Sequence, residues 1–323
     1  MSNKTDIPKA TIVADQFPVM VSFDEQCSLD DLINYYQEHQ SELEKLLLKF
    51  GTVVFRQTAI SSKEDFEYVM DRISEEFMAY VDGNSPRTKL SGKVYTSTEY
   101  DPASHITLHN ELSYSAKWPS RLFFTCTLPS ETGGETPLAD CRQVLEAMDP
   151  DLIEEIESKG ITYIRNLHGG SGMGPSWQDT FETEDKAVVE EYCKATGVDT
   201  QWSEDGSLRL IQESKGIISH PKTGEKVWFN QIDQFHPSHL DPEVYETLMM
   251  IYQNEEELPM FVRFGDGSPI SEDKVKHILE RIETVVVARP WEKGDLAMID
   301  NVLVAHGRRP FTGKRQVLVS MAK

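Results

Sequence analysis

Apolar residues recur at helical spacing through "CSLDDLINYYQEHQSELEKLLLKFG", where Leu32, Tyr35, Tyr36, His39, Leu43, Leu46 and Leu47 share one face. Ser28 can cap the start and Gly51 can end it, so the pattern predicts one helix over residues 28–51. "TVVFRQT" is β-branched and apolar, a short buried strand. "SSKEDFEYVMDRISEEFMA" returns to the helical period, with a Ser61…Glu64 capping box and Phe66, Val69, Met70, Ile73 and Phe77 on one side. From about residue 85 the texture becomes strand-like in "KVYTSTEY", "ITLHNELSY" and "RLFFTCTLP", and "SETGGETPLAD" reads as a turn entering another strand. Helical patterns resume at roughly 142–159, 183–196, 241–253 and 271–284, with one more strand at "KVWFNQ". The closing stretch "GDLAMIDNVLVAHGRRPFTGKRQVLVSM" reads as two alternating strands joined by a polar, basic loop. No repeat, low-complexity tract or linker interrupts the chain. Strands at both ends of a helix-bearing middle predict a mixed α/β (α+β) chain of one domain, residues 1–323, with a large insertion at about 144–292.

Composition narrows the classes. A chain of 323 residues with 39% hydrophobic and 27% charged residues is ordinary for a globular protein and long enough for a large core. No run reaches the roughly 18–20 apolar residues of a membrane span, and "MSNKTDIPKATIVADQ" lacks the apolar centre of a signal peptide. Cys27, Cys126, Cys141 and Cys193 show no CxxC spacing, which fits reduced thiols and a cytoplasmic location. The net charge of -22 excludes a general nucleic-acid binder and disfavours docking to an anionic membrane or an acidic partner protein.

Candidate chemistry begins at "LHNELSY", residues 108–114. In a strand His109 and Glu111 point to one face, a geometry suited to chelation. His306, at the end of the alternating run "MIDNVLVAH", supplies a third ligand. Two imidazoles and one carboxylate leave about three positions open on a six-coordinate ion, which suits non-haem Fe(II) rather than structural zinc. Arg315, nine residues beyond His306, can take a carboxylate bidentately, and Thr136 in "GGET" can offer the same group a hydroxyl. Each piece also has an ordinary reading: HxE with a distant His arises by chance, Arg315 resembles a surface strand arginine, and Thr136 a turn residue. Asp295, Asp300 and Asn301 read as turn and strand-end hydrogen bonders, and His105 sits four residues before His109. The glycine-rich "HGGSGMGPSW" has neither a GK[ST] ending nor GxGxxG register, so it reads as a loop or lid rather than a phosphate cradle.

The motifs as a set resemble the taurine-dioxygenase-like iron(II)/2-oxoglutarate oxygenases, including clavaminate-synthase-like enzymes. The pieces are "HNE" at 109–111, "GGETPLAD" at 133–140, "GDLAMIDN" at 294–301 and "AHGRRPFTGKRQ" at 305–316. "GTVVFR", "VWFNQ" and "RFGDGSPI" resemble the branch near syringomycin-type amino-acid hydroxylases. The resemblance runs from about Phe50 to the end of the chain. It implies a double-stranded β-helix (jelly-roll) core with flanking helices. It also implies iron held by His109, Glu111 and His306, with Arg315 and Thr136 on the distal carboxylate of 2-oxoglutarate. Many members carry Asp where this chain has Glu111. Glutamate occurs in the clavaminate-like branch, and a carboxylate there favours oxygenation over halogenation.

What the resemblance implies is a dioxygenase using Fe(II), 2-oxoglutarate and O₂ to hydroxylate an unactivated C–H bond of an amino acid or small derivative, in natural-product biosynthesis. Epoxidation or desaturation by the same chemistry, and a non-catalytic jelly-roll binding protein, are the rival readings. Arg87, Asn230, Gln231, Arg308 and Arg309 are candidate substrate contacts, each with an ordinary structural alternative. The basic cluster Arg308, Arg309, Lys314 and Arg315 in an acidic chain fits attraction of a dianionic cosubstrate. With no other dense basic patch, charge disfavours an acidic carrier protein and favours a free small-molecule substrate.

Overall fold

The computed structural model of the chain describes residues 9–14, 16–74, 76–84, 87–98 and 100–323. Part of the amino-terminal stretch read above for a signal peptide, residues 1–8 and 15, lies outside the described residues.

Strands β1 (Ala10–Val13), β2 (Val19–Cys27), β3 (Thr52–Thr58), β4 (Tyr95–Thr96), β5 (Ile106–His109), β6 (Arg121–Leu128), β7 (Thr132–Gly133) and β8 (Leu138–Asp140) come from the first half of the chain. The middle adds β9 (Ile161–Leu167), β10 (Asp199–Trp202), β11 (Leu208–Ser214), β12 (Ile217–Ser219), β13 (Lys226–Trp228) and β14 (Met260–Phe264). The end adds β15 (Leu296–Asp300), β16 (Val304–Arg308), β17 (Phe311–Thr312) and β18 (Gln316–Ala322). A seven-stranded sheet runs in the order β1-β2-β3-β15-β6-β18-β4, and a three-stranded sheet in the order β5-β16-β8. Together they form the jelly-roll core, with every pair antiparallel except β2 with β3.

Alternation explains which face meets what. On β3, Val53 and Phe55 point into one cluster and Val54 into another. The first face is covered by the helices Leu29–Glu38, Gln40–Phe50 and Lys63–Ile73 through Leu32, Tyr36, Leu43, Leu47, Phe66 and Met70. The second face, with Met20, Val54, Phe124, Ala297 and Val319, packs against Leu108, Leu138, Val304 and Ala305 of the smaller sheet. His306 of the smaller sheet faces Phe124 of the larger one across the space between them.

Several expected elements are subdivided. The predicted helix over residues 28–51 is two helices broken at His39, whose amide donates to Tyr35 O at 3.0 Å and whose ring stacks on Tyr35 at 4.2 Å. Ser28 accepts from the Asp31 amide, and Gly51 ends the second helix with φ of +73°. The next helix is capped one residue later than predicted. Ser62 accepts from Asp65 N, and Asp65 reaches back to the Ser61 amide. The helical pattern at 142–159 is also two helices, Cys141–Ala147 and Pro150–Lys159, because Pro150 starts a new first turn.

The middle of the chain is not simply helical. It carries a four-stranded antiparallel sheet, β10-β11-β9-β14, and the β12–β13 hairpin. Strand β9, "ITYIRNL", is buried at six of its seven positions, so it shows no alternation from which to read it. All four cysteines are buried and free. Among the described residues no helix is long and apolar enough to cross a membrane.

Phe55 is 1% exposed at the centre of the larger sheet. Phe55→Ala is expected to lower stability by about 3–5 kcal/mol, read as a fall in the urea midpoint. A loss below about 1 kcal/mol would mean that the helices on that face collapse into the space.

Candidate metal centre

His306 stands directly opposite His109 in the β16–β5 ladder. Cross-strand partners share a face, so this register alone brings the two rings together, with centroids 4.6 Å apart. Phe124 of the larger sheet closes on His306 at 5.0 Å. The expected single strand from residue 298 to 306 is in fact β15, a turn at 301–303, and β16, so His306 lies within a strand rather than at its end.

Glu111 reaches the histidines by a different route from the one expected. β5 ends at His109, and Glu111 belongs to the turn that follows, where Leu112 has φ of +58°. Asn301 holds this turn. Its Oδ1 accepts from Glu111 N at 2.7 Å, and its Nδ2 donates to Glu111 O at 3.0 Å and Pro119 O at 2.9 Å. Asn110 Nδ2 returns a bond to Asn301 O at 2.7 Å. Gln231, from the middle of the chain, donates to Asn110 O and Ser113 Oγ. Asp300 accepts from the amides of Val302 and Leu303 and so shapes the turn that presents Asn301.

One ligand atom from each of His109, Glu111 and His306 lies within 4.8 Å of the other two, and all three residues are buried. His109 Nδ1 is 2.9 Å from Thr107 O, a carbonyl that can only accept. Nδ1 therefore carries the proton and Nε2 keeps its lone pair. Among the described residues the His306 ring makes no hydrogen bond: Nδ1 is buried without a partner, and Nε2 is 3.8 Å from Glu111 Oε2. Burial lowers the pKa of His109, and burial followed by the nearby His109 and Arg87 pushes that of His306 well down. Two neutral imidazoles with free lone pairs beside a carboxylate are what a divalent transition metal requires, and the donor set fits one.

A cavity beside these residues is lined by Ser97, Thr136, His306, Arg308 and Arg315. Arg315 Nε donates to Gly134 O at 2.9 Å, and its nearest other partner is Ser97 Oγ at 3.4 Å. Among the described residues it has no carboxylate partner, and burial, then Arg308, brings its pKa down to about 10. Thr136 Oγ1 accepts from Trp291 Nε1 at 2.9 Å, which leaves the hydroxyl proton free to donate into the cavity. Trp291 was not singled out from sequence, and neither was the hold of Asn301 on Glu111. The "GDLAMIDN" motif was the one signal for the latter.

The remaining candidates separate. Arg87 joins the centre, donating to Glu111 Oε2 at 2.5 Å. Gln231 braces the Glu111 turn, and Asn230 is taken up by Gly216 O and Ile232 N. Arg308 donates to the carbonyls of Thr98, Tyr100, Asp101 and Ser104. Arg309 pairs with Glu283 near the surface and approaches His105 at 3.4 Å. His105 lines a cleft of about 840 Å³ that opens onto His109 and Glu111.

The sequence model of the family described as taurine catabolism dioxygenase TauD, TfdA matches residues 16–321. Dapdiamide synthesis protein DdaC of Enterobacter agglomerans is 31% identical over 321 residues, covering 99% of this chain and 95% of that protein. A clavaminate synthase-like protein of Arabidopsis thaliana is 33% identical over 289 residues, covering 87% and 84%. Among solved structures, PvcB from Pseudomonas aeruginosa superposes with a TM-score of 0.54 at 12% identity, covering 100% of this chain and 92% of that one. PvcB is described as an Fe, alpha-ketoglutarate dependent oxygenase from an isonitrile synthetic pathway.

Asn301 is 0% exposed, and its side chain satisfies three backbone groups around Glu111. Asn301→Ala is expected to cost about 2–4 kcal/mol of stability and to weaken Mn(II) binding about ten- to hundredfold, without touching the ion. Urea unfolding and a calorimetric Mn(II) titration check both. Unchanged affinity would show that Glu111 is held without Asn301.

Proposed function

Since the chain belongs to the TauD, TfdA family of dioxygenases, we propose that it is an Fe(II)- and 2-oxoglutarate-dependent oxygenase that hydroxylates a C–H bond of a free amino acid or small amino-acid derivative. The observation that carries this reading is the pairing, across one cavity, of a buried His-Glu-His donor set with a guanidinium that has no carboxylate partner. A monoacid would satisfy only one end of that arrangement.

His109, Glu111 and His306 would hold iron on one face, leaving its other positions to cosubstrate and O₂. Bound there with 2-oxoglutarate and O₂, iron supplies oxidation of a C–H bond coupled to conversion of 2-oxoglutarate into succinate and CO₂. Arg315 and the free proton of Thr136 would take the far carboxylate as charge-assisted hydrogen bonds in a partly dry pocket. Phe124 shields His306 from water. The residues have no proton to remove from the substrate, so their work is to orient it and to exclude water.

The cleft on the His109 and Glu111 side, walled by Tyr100, His105, Gln234, Phe235 and Met260, would receive the substrate. We assign the segment at about 144–292 to one domain with the jelly roll, as its substrate-covering insertion, since Gln234, Phe235 and Met260 come from it. A natural-product pathway is supported by what DdaC and PvcB are named for, dapdiamide synthesis and an isonitrile synthetic pathway, and an amino-acid substrate by the resemblance of "VWFNQ" and "RFGDGSPI" to the amino-acid hydroxylase branch. Charge favours a free substrate over a carrier-bound one, since the net -22 repels acidic partners.

A screen of amino acids and derivatives that reads succinate formation and product mass tests the proposal. A gain of one oxygen in a saturated substrate supports hydroxylation, and loss of two hydrogens would replace it with desaturation. Mass gain confined to a carrier-bound thioester would overturn the free-substrate part alone. Arg315→Gln is expected to raise the KM for 2-oxoglutarate about ten- to hundredfold, the worth of a charge-assisted pair. His306→Ala should abolish turnover while the far-ultraviolet spectrum stays native. An unchanged KM, or turnover retained, would remove that residue from its role.

A further inference from the structure

Arg87 is a buried cation with more donors than partners. Its side chain is 2% exposed. Among the described residues its one hydrogen bond runs from a terminal nitrogen to Glu111 Oε2, while Nε and the other terminal nitrogen are buried without a partner. The guanidinium lies over the Tyr80 ring at 4.4 Å. It lines the cavity that holds Arg315 and also a larger cleft with Asn84, Lys89, Tyr100 and Met260. Five residues before it, Asp82 pairs with Arg165 of β9 and accepts from Ser115 Oγ at 2.8 Å, just past the Glu111 turn.

Glu111 cannot be the whole answer to this charge. A divalent ion held by His109, Glu111 and His306 would draw on the same carboxylate and add positive charge beside Arg87. Burying a guanidinium with two nitrogens unmet is costly unless an anion arrives. The cosubstrate's carboxylates are already placed, one toward the ion and one on Arg315 and Thr136. What remains is the organic substrate, whose cleft beside His109 and Glu111 shares the walls Tyr80, Asn84, Tyr100 and Met260 with the larger cleft that Arg87 lines. The chain as a whole repels anions, so a local buried cation is also what an acidic substrate would need in order to settle there.

We propose that Arg87 binds a carboxylate of the organic substrate, so that the enzyme selects acids over the corresponding amides. This rests on the oxygenase reading above. Arginine suits the task because its planar donors match a carboxylate and its charge persists when buried.

The full chain, loaded with Mn(II) in place of iron and with 2-oxoglutarate, is tested by thermal shift. The probes are the proteinogenic L-amino acids and their N-acetyl derivatives, each as free acid and as primary amide. At least one acid is expected to raise Tm by about 2 °C or more near saturation. Titration should then show it binding about ten- to hundredfold tighter than its amide. Arg87→Met should abolish the acid's shift, and Arg87→Lys should keep part of it together with the preference for acid. Equal binding of acid and amide, an acid shift that survives Arg87→Met, or no acid shift with any probe would overturn the proposal. Should Arg87→Met fail to fold, the wild-type comparison of acid with amide and the Arg87→Lys result decide. The shift from Mn(II) and 2-oxoglutarate alone is the separate control. Its absence in the wild type would defeat the oxygenase reading, whereas its presence without acid selectivity would defeat only the role of Arg87.

Discussion

The pairing of His306 with His109 across β16 and β5 is the constraint on which the centre depends. A slip of one residue in that ladder would turn one imidazole to the opposite face and part the two rings. The ladder is irregular just beyond the pair, between His306 and Arg308. Gly307 lies there with room for no side chain, since a Cβ would stand 2.5 Å from Ile106 O. The close approach of the two backbones and the meeting of the two rings are therefore one feature. Opposite them, the larger sheet contributes Phe124 as a wall, which makes the interior dry enough to keep both imidazoles neutral.

The third candidate ligand is placed by tertiary contacts rather than by a ladder. Glu111 sits on a turn gripped by Asn301 from the β15–β16 connection and by Gln231 from the middle of the chain. Three segments far apart in sequence must dock before the carboxylate is in position. Arg87 is buried beside it on Glu111, and Asp82 pairs with Arg165 of β9. The position of the carboxylate and the walls of the cleft therefore depend on the same contacts.

Much of this was legible in the sequence, and the exceptions have physical causes. Helical periodicity gave the helix at 272–284, and apolar, β-branched runs gave the strands at 52–58 and 121–128, close to their observed bounds, whereas the helix that begins at Lys63 stops at Ile73, short of Phe77, which pairs with Ala322 instead. His109, Glu111 and His306 were legible as a donor set, but the alternation invoked for His109 and Glu111 does not operate, since the strand stops at His109. Arg308 looked like a substrate contact because its charge was visible and the four carbonyls that absorb it were not. The sheet built from β9, β10, β11 and β14 escaped notice because its central strand is buried almost throughout. Trp291 carries no motif, and its bond to Thr136 exists only once residues 155 positions apart meet.

Between His306 and Arg315 the chain changes sheets, passing through β17, which pairs with β7, before joining β18. Arg315 is fixed at this crossing by Gly134 O, next to β7, while His306 is fixed by β5 and β8. Two independent ladders therefore set the gap between the ion's seat and the guanidinium. Neither end can approach the other without breaking cross-strand pairing, so the span between them is a property of the fold rather than of either side chain.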